Sequence, residues 1–246
     1  MHQSKLLLTF PNLVHGISTI DEGNMSYNWG EKQEVDRNRK EFVESLGLRV
    51  EDGVSMSLVH GNEVVHITSA DRGRGMLNMD HPECDAVMTN EKGLYFFMNT
   101  ADCLPIFFYS SEKGVIALAH CGWKGTDLGL AKKVVSEMSG VYGVRPEELR
   151  VVIGPGIHKE SYVLEVLEQK NKKKWKECIR VLPDGKYSVD IVGYNEAQLL
   201  EAGVLQENIE VMNVDTGKDM RFFSHYRAVT LGEVEGRFCS VVGMKV

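Results

Sequence analysis

Two imidazoles and a thiol, His60, Cys103 and His120, each stand where an apolar segment gives way to a loop, in the stretches SLVHGNEV, NTADCLPIFF and ALAHCGWKGT. His60 and Cys103 lie 43 positions apart, and Cys103 and His120 lie 17 apart. That is too wide for a local zinc knuckle, so only the fold could bring the three together. Two imidazoles and a thiolate suit Zn²⁺, and three protein ligands leave a fourth position for water or substrate. Asp85 and Asp102 are the candidate catalytic carboxylates, able to orient a ligand imidazole or accept a proton. Their plainer role is to stabilise turns. A metal-free reading makes Cys103 a nucleophile with one histidine as its base. The second histidine weighs towards a metal, because a thiol nucleophile needs only one base. Cys121 adjoins His120 but points to the opposite face of an extended segment, so it is left out of the ligand set.

Three cations are candidates for holding an anion. Arg39 lies on the apolar face of a helical stretch, where its stem covers hydrophobic surface or its guanidinium turns inward to meet an anion. Lys124, in GWKGTDLG, precedes an expected helix N-terminus. Arg227 ends FFSHYR beside aromatic residues, where it would contact phosphate or a base, or close a packed strand. No P-loop or dinucleotide fingerprint occurs.

The elements that must position these groups can be read from periodicity. A short strand is expected at residues 6–10 and a helix at 34–46, with Val35, Phe42, Val43 and Leu46 on one face and Gly47 as its stop. Residues 57–68 read as one or two strands broken at His60 and Gly61, and residues 69–82 as a long connection. Dense apolar segments at 86–89, 94–99, 104–109 and 115–120 lack clean alternation, as strands covered on both faces do. Thr126 or Asp127 is expected to cap a helix reaching residue 138. A strand follows at 150–153, then a helix at 162–168 leading into the basic run KNKKKWK. Asp190 caps a helix to Leu200, stopped near Gly203, and strands close the chain at 209–214 and 237–242. No repeat or linker divides the chain, so residues 1–246 are expected to form a single α/β domain.

Of the 246 residues, 43% are hydrophobic and 26% charged, as in a water-soluble globular protein. The net charge of −7 argues against nonspecific nucleic-acid binding, and one basic cluster in an acidic chain reads as solvated surface. No apolar run approaches the roughly 18 residues of a membrane span. The first residues are too broken for a signal segment, and five cysteines without a CxxC pair read as reduced thiols. A cytoplasmic location and no membrane partner are expected.

The stretches VHGNEV, CDAVMT, NTADCLPIFF, ALAHCGWKGT and VVIGPGIHKESYVLE closely resemble successive motifs of the bacterial laccase-domain, or polyphenol-oxidase-like, family. VHGISTIDEGNMSYNWG, DRNRKEF, FFSHYR and EGRFCSVV extend the resemblance over nearly the whole chain. It implies a single-domain four-layer α/β sandwich, with two central sheets flanked by helices. It also implies Zn²⁺ on His60, Cys103 and His120, with copper as a second candidate. The implied activity is phosphorolysis of adenosine, inosine, guanosine and 5′-methylthioadenosine, accompanied by zinc-dependent adenosine deamination. The partners are then purine nucleosides and inorganic phosphate, with the protein a monomer or weak oligomer. Alternatives are a copper-dependent phenol oxidoreductase, a Cys–His thiol hydrolase of the kind seen in fold-related deamidase toxins, and a noncatalytic metal-bound interaction protein. Against the family pattern, Ile20 stands in place of an arginine, Lys124 replaces an arginine, and Cys121 an alanine. An arginine pair is reduced to Arg227-Ala228, and NVDTG replaces a late cysteine motif. These departures bear on phosphate and substrate preference rather than on the proposed metal ligands.

Overall fold

Strands β6 (Leu104–Ser110) and β7 (Val115–Cys121) bury every residue, which a sheet achieves only with both faces covered. The structure is a computed structural model that describes residues 1–167 and 172–246. Together with β3 (Val64–His66), β4 (Ala86–Thr89), β8 (Arg150–Ile153) and β12 (Ile209–Val211), these strands form a six-stranded mixed sheet. Its order is β12-β8-β6-β7-β4-β3. Strands β1 (Leu13–Ile17), β2 (Gly53–Ser55), β5 (Tyr95–Thr100) and β13 (Phe238–Met244) form a second sheet of order β1-β13-β5-β2.

The apolar clusters give the layering. Phe96, Met98, Phe238 and Val242 of the smaller sheet share one core with Phe107, Ile116, Leu118 and Val152 of the larger. On the other face of the larger sheet, Ile106, Phe108, Ala117 and Ala119 pack with Leu130, Val134 and Met138 of α3 (Leu130–Tyr142) and Leu199 of α4 (Ile191–Glu201). On the other face of the smaller sheet, Tyr95, Phe97, Cys239 and Val241 meet Phe42 and Val43 of α1 (Lys32–Ser45). The order helix, sheet, sheet, helix is the four-layer α/β sandwich that the family resemblance implies. Each inner strand alternates its side chains between two cores, so both rows must be apolar.

Local expectations fail where a side chain overrides propensity. Residues 6–10 do not form a strand. Ser4 Oγ accepts from Leu7 N, Glu210 accepts from Leu6 N, and Leu7–Thr9 winds into a 3-10 turn. The first strand comes after it, at Leu13–Ile17. Within 57–68 only Val64–His66 is a strand, because the chain turns sharply at His60. The helix expected from Thr126 or Asp127 is split into α2 (Trp123–Asp127) and α3, because Gly129 at φ 79° resets the chain direction. Residues 162–167 are extended rather than helical. Their β-branched Val163 joins β9 (Val163–Leu164) to β11 (Tyr187–Val189), which also pairs with β10 (Ile179–Val181). Glu168, Lys170 and Asn171 lie outside the described residues. The FFSHYR stretch enters a helix, α5 (His225–Leu231), with Ser224 Oγ accepting from Arg227 N at its start.

The basic run has a structural use. Lys172 Nζ lies 2.7 Å and Lys174 Nζ 2.9 Å from Asp127, and Trp175 Nε1 donates to the same carboxylate at 2.7 Å. The Trp175 ring is buried and sits 4.4 Å from that of Tyr194. Two cations and an indole thus fasten residues 172–178 to the end of α2. Burial raises the Asp127 pKa, but these donors overcome it and bring it down to about 2. A folded pKa below the unfolded one stabilises the fold above the unfolded value near 4 and ceases to as pH falls through the folded value. Asp127→Asn should therefore lower stability by about 1–2 kcal/mol at pH 7, the half-exposed lysines being screened by salt. In urea unfolding the gap to wild type should close between about pH 4 and pH 2. A gap that stays constant over that range would show that the charge plays no part.

Candidate metal centre

Each ligand is positioned by a different element. His60 lies in the loop between β2 and β3, Cys103 immediately precedes β6, and His120 is the penultimate residue of β7. In the β6–β7 ladder His120 pairs with Pro105, which places Cys103 just beyond that pair. Along β7, Ile116 and Leu118 face the core between the sheets, whereas Ala117, Ala119 and Cys121 face α3. His120 continues the first row, and its neighbour Cys121 is buried on the other side, away from the ligand set. His60 and Asp102 adopt left-handed backbone conformations, at φ 57° and 76°. Such positions cost about 1–3 kcal/mol and persist only where surrounding bonds enforce them.

These elements bring the ligand atoms of His60, Cys103 and His120 within 4.8 Å of one another. The two imidazoles meet edge to face, 4.9 Å apart at 83°. Tetrahedral zinc, with bonds of about 2.0–2.3 Å, needs ligand atoms about 3.3–3.8 Å apart. The donor set of two nitrogens and a sulfur fits a single metal ion.

Asp85 aligns two of the ligands. One carboxylate oxygen accepts from His60 N at 3.0 Å and from His120 Nδ1 at 2.9 Å, and the other from Gly61 N at 2.6 Å. With the Nδ1 proton directed at the carboxylate, His120 Nε2 is left as the lone-pair donor. Asp85 is fully buried. Burial raises its pKa, but the bonds from His120, Gly61 and His60 outweigh this and hold it below the usual carboxylate value. Burial likewise raises the Cys103 thiol, and the imidazoles of His120 and His60 reverse that and favour the thiolate. Burial disfavours the imidazolium of His120, but Cys103 and Asp85 draw its pKa upward. Gly122 completes the enclosure. A Cβ there would lie 2.6 Å from Cys103 Sγ, so no larger residue fits without moving the ligand.

The remaining candidates divide. Asp102 accepts from Thr216 Oγ1 at 2.6 Å and from Tyr226 N at 2.7 Å, so both carboxylate oxygens are engaged in holding loops. Arg39 is buried, donates from Nε to Met25 O at 2.8 Å and lies over the Tyr27 ring at 4.2 Å. Arg227, also buried, pairs with Glu233 and donates to the carbonyls of Thr216, Asp219 and Phe222. Lys124 is exposed, makes no ion pair among the described residues and lies four positions beyond His120. Two residues of the surroundings were missed in the sequence. Thr216, in the atypical NVDTG segment, anchors Asp102, and Tyr162 feels the charges of Cys103 and Asp102. The tyrosine's place after GPGIHKES was the one available signal, and it pointed to a helix that does not form.

A family model described as multi-copper polyphenol oxidoreductase laccase matches residues 11–245, and the chain belongs to that family. The purine nucleoside phosphorylase YlmD of Geobacillus stearothermophilus is 31% identical over 240 residues, covering 89% of this chain and 86% of that protein. The adenosine deaminase RL5, from an unknown prokaryotic organism, is 32% identical over 203 residues, covering 78% of this chain and 75% of its own. The crystal structure of YlmD from Geobacillus stearothermophilus superposes with a TM-score of 0.89 at 28% identity, covering 99% of this chain and 94% of that one.

Removing the charge behind His120 tests the alignment. Asp85→Asn keeps the shape but weakens the acceptor, and should lower the affinity for Zn²⁺ about 10- to 100-fold in competition with a chromogenic chelator. Unchanged affinity in a folded variant would mean that His120 needs no carboxylate to present Nε2.

Proposed function

We propose that this family member is a zinc-dependent purine nucleoside phosphorylase that also deaminates adenosine. The observation that carries the reading is the convergence of His60, Cys103 and His120 within 4.8 Å, with Asp85 orienting two of them. The names of the relatives supply the substrate class. Adenosine, inosine, guanosine and 5′-methylthioadenosine are the proposed substrates, with inorganic phosphate as co-substrate.

In phosphorolysis a phosphate oxygen bonds to C1′, the C1′–N9 bond breaks, and the purine leaves with a proton, giving free base and ribose 1-phosphate. In deamination water adds at C6 and ammonia leaves, converting adenosine to inosine. Zinc, when bound, supplies a Lewis acid that stabilises developing negative charge. The chain's own residues do the rest. Lys124 makes no ion pair among the described residues, its ammonium lying 5.8 Å from the Trp123 ring centroid, and is assigned to phosphate. Arg39 and Arg227 are assigned to the fold, because buried carbonyls and rings already engage them. Asp85 and Asp102 are assigned to positioning, since their oxygens already accept bonds from the loops that carry the ligands.

Two other readings have specific support. The thiolate-favouring surroundings of Cys103 suit a Cys–His thiol hydrolase. The family description suits copper, which imidazole and thiolate also bind. Among the described residues, however, His60, Cys103 and His120 are the one group of three or more such donors, which favours a single ion over several coppers. We also infer one domain over residues 1–246, since Ser4 bonds to Glu210 and Lys245 to Pro11 across the chain. No helix among the described residues is long and apolar enough to cross a membrane. We propose a cytoplasmic enzyme, monomeric or weakly oligomeric, without a membrane partner, and the net charge of −7 is what speaks against a nucleic-acid partner.

Zinc-loaded wild type should release free base from inosine only with phosphate present, and ammonia from adenosine. Cys103→Ala and His120→Ala should each lower both rates about a hundredfold or more. Ribose as product at a phosphate-independent rate would replace the phosphorylase by a hydrolase. Full activity of metal-stripped wild type would favour the thiol reading.

Lys124→Ala should raise KM for phosphate about tenfold, the loss of roughly 1.4 kcal/mol of charge-assisted binding, and leave KM for the nucleoside nearly unchanged. Steady-state rates at varied phosphate read this out. An unchanged phosphate KM would move the anion contact elsewhere.

A further inference from the structure

An apolar pocket of about 400 Å³ opens next to Trp123 and Tyr162. Trp123, Tyr162, Leu164, Val166, Leu167, Trp175 and Val189 line it. Its walls are tied to the ligand loops on two sides. Trp123 follows Gly122, whose backbone packs against Cys103 Sγ. The turn that carries Tyr162 is tied to the Asp102 carbonyl, which accepts from Ile157 N at 2.8 Å, and Tyr162 N donates to His158 O. The far wall is held by the bonds of Asp127 to Trp175 and its flanking lysines.

The lining is two indoles, a phenol and four aliphatic side chains. The Trp175 N–H is already bonded to Asp127, whereas the Tyr162 hydroxyl has no hydrogen-bond partner among the described residues. Burial and the nearby charges of Cys103 and Asp102 keep that phenol protonated, so it can donate or accept. Such a lining suits a flat aromatic ring and binds it through its faces.

We propose that in phosphorolysis this pocket is the base subsite, taking the purine ring against Trp123 and Tyr162 while the sugar lies towards His60, Cys103 and His120; deamination, which needs C6 at the metal, uses a different pose. The assignment rests on the phosphorylase reading and says where its selectivity arises. A pocket without a fixed donor or acceptor for the purine's 6-substituent discriminates weakly between amino and oxo forms. The ring is read by shape, and a 6-amino and a 6-oxo purine enter alike.

Inosine binding to the Zn²⁺-loaded protein without phosphate, followed by calorimetry, tests the assignment alongside turnover with phosphate. Trp123→Ala, and Leu164→Trp, which fills the pocket, should each weaken binding and raise the nucleoside KM about tenfold or more, with kcat changed little. Trp123→Phe keeps an aromatic face and should stay within about threefold of wild type, which separates loss of stacking from loss of fold. Inosine binding unchanged in both Trp123→Ala and Leu164→Trp, with wild-type phosphorolysis intact, overturns the pocket and leaves the phosphorylase reading standing. Binding lost in those two variants of a protein that cleaves no nucleoside supports the pocket and removes the phosphorylase reading. A wild type that neither binds nor cleaves inosine removes both.

Discussion

One buried carboxylate organises the site. Asp85 receives the backbone N–H groups of His60 and Gly61 and the ring N–H of His120, so a loop and a strand are referred to the same two oxygens. Its own backbone is fixed in turn, with Asp85 N donating to Glu63 O and Asp85 O accepting from His120 N. The carboxylate therefore stands in the ladder joining β3, β4 and β7, and moves only if the sheet moves. Burying an ionised carboxyl is costly unless it is hydrogen-bonded, and these three donors are what make it tolerable. The same bonds hold His60 in the left-handed conformation that points its imidazole at the other ligands.

The third ligand is held from the opposite end of the sequence. The turn at Asp102 and Cys103 is anchored by Thr216 and Tyr226, and Arg227 closes the segment between them by bonding the carbonyls of Thr216, Asp219 and Phe222. Asp215 adds a parallel set, accepting from His158 N and Ser161 Oγ beside Tyr162. A guanidinium buried with carbonyl acceptors works as a multiple staple, because its donors are fixed in one plane. Arg39 does the same on the far face of the smaller sheet. These carbonyl acceptors are what make burial of the two guanidinium groups tolerable.

Much of this was legible in the sequence, for reasons that particular residues make plain. Strands covered on both faces must be apolar throughout, so β4 to β7 stood out, and the stripe of Val35, Phe42 and Val43 marked α1. His60, Cys103 and His120 stood out because each lies where an apolar segment gives way to a loop. What periodicity could not supply was pairing over distance. Only pairing with Tyr187 and Ser188 makes Val163 and Leu164 a strand. Glu210, more than 200 positions away, joins the neighbouring Ser4 in winding Leu7–Thr9 into a 3-10 turn. Arg39 and Arg227 were read as candidate anion contacts, and their carbonyl partners carry no sequence signature. The NVDTG segment departs from the family pattern, yet its Thr216 carries one of the two bonds to Asp102.

The geometry also weighs between the two chemistries open to a cysteine beside histidines. Surroundings that favour the Cys103 thiolate serve either one, because a nucleophile and a metal ligand both need the deprotonated sulfur. The distinction lies in what the remaining groups are for. A nucleophile needs one base, and a carboxylate behind that base would complete its orientation. Here the carboxylate orients a second histidine as well, through His60 N, and the backbone accepts strain at His60 to bring that ring within 4.9 Å of His120. For a thiol mechanism the second ring is surplus and its strain has no return. For an ion that must be met from three directions, His60 supplies the donor that neither Cys103 nor His120 can, and the lack of a side chain at Gly122 leaves room for the sulfur.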